Sequence, residues 1–166
     1  MNAPADQPAT VDIDGVTVAT GHLIGGQRVD SATTFESRSP LDWNRTLAHV
    51  SRGDGDVARA AVDAALAGFE VWSRTPPAER AATLRRLADL IDAHNDDIAL
   101  VETLDMGFLH RSMRERLVAR GAVNFRTYAD LLDAYEERQW PARGTAHTVQ
   151  RMPAGPAVVI TPWNAP

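Results

Sequence analysis

The sequence predicts an α/β fold rich in helix, and three observations carry the prediction. Between residues 56 and 135, apolar side chains recur at helix spacing in four successive stretches. Ahead of them, residues 21–29 place a short apolar core beside a Gly25-Gly26 step, which is the pattern of a hairpin. At the far end, Ala157-Val158-Val159-Ile160 reads as a short buried strand that Thr161-Pro162 then breaks.

The elements follow in order. Residues 1–20 begin with a stretch rich in Ala, Pro and polar side chains and are expected to form a disordered tail. Residues 45–50 read as a strand. The first helix is expected over residues 56–70, with Val57, Ala60, Ala61, Ala64, Ala65 and Phe69 on one face. Pro76-Pro77 opens the second, where a missing N–H costs least, and Leu84, Leu87, Ala88 and Ile91 form its stripe. A third follows Asp96, carries Ile98, Val101 and Leu104, and ends near Gly107. The longest is expected over residues 111–135, turning Leu117, Val118, Gly121, Phe125, Tyr128 and Leu132 inward. A turn at residues 141–144 leads into an alternating, exposed strand over 145–151. No internal repeat or interdomain linker is evident.

Composition narrows the function classes. The chain of 166 residues suits one domain, and a net charge of −5 disfavours nucleic acid or an anionic membrane as partner. No apolar run approaches the ~20 residues that span a bilayer, and the first ten residues lack the basic and apolar regions of a signal peptide. The expected location is therefore cytoplasmic. There is no cysteine, which removes disulfides, thiolate metal sites and a Cys nucleophile from this chain. All 17 basic residues are arginine, so a Schiff-base or P-loop lysine is also excluded.

Several patterns invite a functional reading and fail on their chemistry. Residues 53–58 match G-x-G-x-x-A between a predicted strand and a helix. A dinucleotide would set its pyrophosphate there, but Asp54 and Asp56 would repel it, and helix capping with a glycine turn is the reading favoured. His22, His49, His94, His110 and His147 lack metal-ligand spacing. Arg111, Arg114, Arg116 and Arg120 beside Glu115 suggest either a phosphate patch or a solvated helix face, the latter favoured. Asn44-Arg45-Thr46 fits a glycosylation sequon, without the secretory signal that would give it meaning. The adjacent pairs Asp96-Asp97 and Glu136-Glu137 diverge on a helix and cannot cooperate as acid and base.

Trp163-Asn164, held between Pro162 and Pro166 after the last strand, is the strongest candidate. In open α/β sheets the carboxyl ends of strands are where ligands bind. The stretch Thr161-Pro162-Trp163-Asn164-Ala165-Pro166 resembles the Thr-Pro-Trp-Asn-x-Pro motif of the NAD(P)-dependent aldehyde dehydrogenases. Other segments agree in order. Residues 22–29 resemble that family's Phe-Ile-Gly-Gly-x-Trp/Arg-Val opening, and Trp72-Ser73 with residues 78–80 and 84–91 resembles its early helices. Glu102-Thr103-Leu104-Asp105-Met106-Gly107 is similar to its Glu-Thr-Leu-Asp-x-Gly stretch. Residues 151–156 are similar to its Arg-x-Pro-x-Gly lead-in. The resemblance covers about residues 21–166.

The resemblance implies an incomplete N-terminal part of a doubly wound, Rossmann-like cofactor domain with a β-hairpin extension used in oligomer contacts. It implies that Asn164 donates its amide to the oxyanion formed when a thiolate attacks an aldehyde. Ile160, Thr161, Pro162 and Trp163 would line NAD or NADP, largely through backbone atoms. Two departures stand out: Phe108-Leu109 replaces the usual Lys-Pro, and Pro156 replaces a common Val. The Gly155-Pro156 step is similar to the branch acting on ring-cleavage semialdehydes such as hydroxymuconic semialdehydes. The family's nucleophilic Cys, general-base Glu and substrate domain would lie beyond Pro166, so the chain alone is expected to be inactive. It is further expected to expose apolar surface and to be marginally stable by itself. The partners implied are an aldehyde substrate and either further copies of the chain or a missing C-terminal chain. The competing expectation is a non-catalytic helical module that packs against a partner or a homologous oligomer.

Overall fold

The computed structural model describes residues 9–134 and 138–162. Among them the strands form four separate two-stranded antiparallel hairpins, and the helices pack as a layer behind the first three.

The first hairpin joins β1 (Thr10–Ile13) to β2 (Val16–Ala19). It corrects the expected tail over residues 1–20, of which residues 1–8 lie outside the described residues. Asp12 and Asp14-Gly15 make the turn: Gly15 N–H donates to Asp12 Oδ1 at 3.0 Å, and Asp14 and Gly15 both take positive φ. The alternation of Val11, Ile13, Val16 and Val18 supplies an apolar face, and Ile13 is 5% exposed. That short period was hidden by the polar residues before it.

β3 (His22–Ile24) pairs with β4 (Gln27–Val29) across Gly25-Gly26, as the sequence suggested. β6 (Thr46–Ser51) is the strand expected near residue 45, and its partner β5 (Thr34–Arg38) went unrecognised because Glu36 and Arg38 make it polar. Ser39 follows β5, is 1% exposed, and donates through Oγ to the carbonyl of Leu104 at 2.7 Å. This bond ties the hairpin to the end of a helix 65 residues later.

Five helices follow among the described residues. α1 (Gly55–Trp72) buries no residue: Val57, Ala64 and Phe69 are half-buried, while Ala60, Ala61 and Ala65 are exposed. α2 (Pro77–Ala93) starts with Pro77 at its first position. α3 (Asn95–Met106) carries Asp96 and Asp97 in its first turn, where negative charge suits the helix dipole. It ends on Gly107 at φ 76°, where an added Cβ would also lie 3.0 Å from Pro40 Cγ.

The single long helix expected over 111–135 is divided. A three-residue turn α4 (His110–Ser112) leads into a π-helical turn over Met113–Val118 and then α5 (Ala119–Asp133). The wide turn shifts the inward stripe to Met113, Val118, Ala122 and Ala129, and leaves Tyr128, expected inside, 63% exposed. Tyr135, the expected end, lies outside the described residues. β7 (Arg138–Ala142) and β8 (Thr145–Val149) close the fold as a hairpin around Arg143-Gly144.

α3 sits at the centre because it is apolar on two sides. Leu104, with Leu100 and Val101 beside it, meets Ile13 and Leu47 from the hairpins. Ala99, with Ile98 beside it, meets Met113 and Val118 of the π turn. α2 and α5 run antiparallel and touch through small residues: Ala81 and Ala88 face Ala122 and Ala129, all fully buried and each pair seven residues apart. Arg85 reaches Asp130 and Asp133 at 2.8 and 2.6 Å, and Arg126 reaches Asp89 and Asp92 at 2.7 Å each. These reciprocal pairs flank the alanine seam and hold its register.

The expected strand over 157–160 is corrected. Val158, Val159 and Ile160 are 81, 80 and 89% exposed and form no ladder with any described residue. A strand's hydrogen bonds go to a neighbour, and no described strand lies beside this one. Exposed apolar surface is thus present, as the sequence led one to expect, here and at Val62, Leu66, Val71 and Trp72 of α1.

Candidate active site

The G-x-G-x-x-A stretch resolves as a capped helix start. Asp54 Oδ1 accepts from the N–H groups of Asp56 and Val57 at 2.9 and 3.0 Å. The Val57 N–H first, and that of Asp56 next, hold the Asp54 carboxyl below its ordinary value of 3.8. The donors that would greet a phosphate are already occupied by an anion. Because the folded value is depressed, the cap's contribution is present above the unfolded value and is lost as pH falls from about 4 through the folded value. Asp54→Ala should therefore lower the melting temperature at pH 7, Asp54→Ser should retain most of it, and the difference between wild type and Asp54→Ala should shrink in acid. Thermal melts followed by circular dichroism check both statements.

His22 Nε2 lies 2.9 Å from Ser31 Oγ, with Asp54 near enough to act on the ring. The contact superficially suggests a Ser-His-Asp relay, but the Asp54 oxygen that accepts hydrogen bonds is committed to the helix cap. The described residues contain no group of three or more His, Asp or Glu able to hold a metal. The arginine cluster divides. Arg111 pairs with Glu115, and Arg114 with Asp96 at 2.5 Å, whereas Arg120 lines a groove beside Ile91 and Ile98. Glu136 and Glu137 lie outside the described residues.

The leading candidate stretch is only partly on view. Ile160, Thr161 and Pro162 are extended and exposed, and their backbone groups bond to no other described residue. Trp163 and Asn164 lie outside the described residues. The described part offers free carbonyls, the N–H groups of Ile160 and Thr161, one hydroxyl and one apolar side chain, with no charge. That set fits the neutral ribose and ring portions of a dinucleotide and provides nothing for its phosphates. Sequence reasoning passed over Glu102, which is half-buried on α3. Burial first, and Asp105 second, push its carboxyl up. A glutamate among Ile98, Val101 and Leu104 on an inward-facing helix was the available signal.

The comparisons with known proteins decide the family. The aldehyde dehydrogenase family model matches residues 28–166. The chain belongs to the aldehyde dehydrogenase family. It is 34% identical to the mitochondrial benzaldehyde dehydrogenase of Antirrhinum majus, covering 100% of this chain and 31% of that protein. It is 33% identical to the 2-aminomuconic semialdehyde dehydrogenase of Bos taurus, covering 87% of this chain and 30% of that one. The crystal structure of HpcC from Thermus thermophilus superposes with a TM-score of 0.82 at 40% identity, covering 89% of this chain and 29% of HpcC. Other similar structures were solved with NAD+ bound.

An aldehyde dehydrogenase segment of this kind spans about 30% of its relatives' length. Its mixed helix and strand content is that of part of the family's Rossmann-like, NAD-binding architecture. Among the described residues, no helix is long and apolar enough to cross a membrane.

Proposed function

We propose that this chain is the N-terminal portion, over residues 21–166, of the cofactor domain of an enzyme that oxidises an aldehyde to a carboxylic acid with NAD+ or NADP+. The observation that carries the reading is the family match running through residue 166, which takes in the Thr-Pro-Trp-Asn-x-Pro stretch. In this reading Asn164 donates its side-chain amide to the oxygen that becomes negative as a thiolate adds to the carbonyl carbon. A neutral donor stabilises that charge without neutralising the thiolate. The thiolate comes from outside these 166 residues, which contain no cysteine. Ile160, Thr161, Pro162 and Trp163 orient the cofactor, whose role is to accept the hydride. The exposed backbone of the first three supports contact with its neutral portions.

The exposed run over residues 158–160 and the bare face of α1 support burial by further protein, since a parallel strand is normally covered on both faces. The hairpin β7–β8, with Trp140 and Val149 about half exposed, is the element we assign to contacts in a homo-oligomer, and we place the enzyme in the cytoplasm. The Gly155-Pro156 step and the aminomuconic semialdehyde relative favour a semialdehyde substrate. The test is to express the polypeptide that joins this segment to a cysteine-bearing catalytic region and follow NAD(P)H formation across a panel of aldehydes. Aldehyde-dependent reduction is expected, and its absence with every aldehyde and both cofactors would overturn the reading.

A further inference from the structure

A groove of about 470 Å³ lies between α2, α3 and the run from the π turn into α5. Its walls are apolar: Ile91 and Ile98 on one side, Met113 and Leu117 on the other. Three polar side chains, Glu102, Arg120 and Asn124, line it as well. Met113, Leu117, Arg120 and Asn124 follow one another at steps of four, three and four residues, so one helical stripe builds the whole wall. The π turn lies inside that stripe, and such turns are frequent at functional sites.

Two features are unexplained by packing. The first is Arg120. Its helix neighbours Arg111, Arg114 and Arg126 are each paired with a carboxylate, whereas Arg120 forms no ion pair or hydrogen bond with a described residue. Glu102 does not pair with it, and burial followed by Asp105 drives that carboxyl towards its neutral form. The groove therefore presents a cation whose counter-charge is not supplied by the described residues. The second is Gly121, the third residue of α5, which also lines the groove. Glycine inside a helix costs ~1 kcal/mol relative to alanine. Here an added Cβ would meet nothing within 4 Å, so no close approach of described residues requires it. What the missing side chain does is keep the groove open.

We propose that this groove receives the carboxylate end of an acid-bearing aldehyde, with Arg120 and the Asn124 amide holding the carboxylate and Gly121 leaving room for its apolar stem. The proposal rests on the aldehyde dehydrogenase reading and adds to it the substrate class and the residues that select it. Guanidinium and carboxylate match in shape and charge, and the amide N–H₂ adds a donor that a neutral aldehyde of equal length would leave unused.

The experiment uses the complete enzyme and two substrates of equal length, adipate semialdehyde and hexanal. The ratio of kcat/KM for the first over the second is expected to fall about 10- to 100-fold in Arg120→Gln, the worth of a charge-assisted hydrogen bond. Arg120→Lys should recover part of that ratio. Gly121→Leu, which fills the groove, should weaken inhibition by adipate, as should Arg120→Gln. A ratio unchanged by Arg120→Gln, while the wild type turns over both aldehydes, overturns the carboxylate site and leaves the proposed function standing. Turnover of neither aldehyde counts against the proposed function. The groove is then judged by adipate alone: a rise in melting temperature that Arg120→Gln abolishes supports it, and no rise refutes it.

Discussion

Replacing Asn164 with alanine in the complete enzyme is expected to lower kcat by about 100- to 1000-fold with little change in KM. The reasoning is that an oxyanion donor acts where charge develops. The substrate carbonyl oxygen carries only a partial charge and gains little from the amide, whereas the tetrahedral oxyanion gains a full charge-assisted hydrogen bond. The loss therefore appears in the barrier, about 3–4 kcal/mol, and not in ground-state binding. Asn164→Asp is the sharper probe. It keeps the size, but its carboxylate accepts where a donor is required and repels the developing negative charge, so its kcat should fall at least as far. Steady-state kinetics with both variants decides the matter. A large rise in KM with kcat preserved would assign Asn164 to substrate binding and would remove it from the oxyanion site.

Ala88→Leu is expected to produce the largest loss of stability, about 1–3 kcal/mol. Ala88 is fully buried in the seam where α2 meets Ala122 and Ala129 of α5. Helices separated only by methyl groups have no slack, so three added carbons must push the backbones apart or adopt a strained rotamer. Separation would also stretch the flanking Arg85 and Arg126 ion pairs, which are strung across the same interface. Arg85→Gln should cost much less, because the Arg85 side chain is 41% exposed and solvent screens the pairs. Urea denaturation of the two variants should show a lower midpoint for Ala88→Leu with an unchanged m-value. Equal midpoints would mean that the seam is loose and that the ion pairs carry the contact.

Several elements were legible from local signals. The Gly25-Gly26 hairpin, the Pro77 start of α2, the Gly107 stop of α3 and the Asp54 cap each depend on backbone chemistry that one or two residue types satisfy. The helix stripes were less secure. Tyr128 was expected inside because a regular period carries it there, but the π turn at Met113–Val118 rotates the stripe and brings Ala129 inward instead. Nothing in residues 113–118 marks that widening, since it follows from the fit of Met113 and Val118 against Ala99 on another helix. The β1–β2 hairpin was missed because its stability comes from Leu47 and Leu104, which are distant in sequence. Of the candidate site, the motif residues 160–164 were legible, whereas the groove was not: it is assembled from three helices, and its arginine looked like one of a charged cluster until its neighbours were seen to be paired.

By itself, then, the sequence determined the family, the helix boundaries and the residue types available at the active-site stretch, because motif order, caps and turns are local properties of the chain. The tertiary structure alone decided which helix faces are buried, that α3 forms the centre, that α2 and α5 close on alanines, and that Arg120 is left without a partner among the described residues. Those outcomes depend on how residues far apart in the chain pack and compete for the same contacts, and a periodicity read along one segment carries no information about its neighbour.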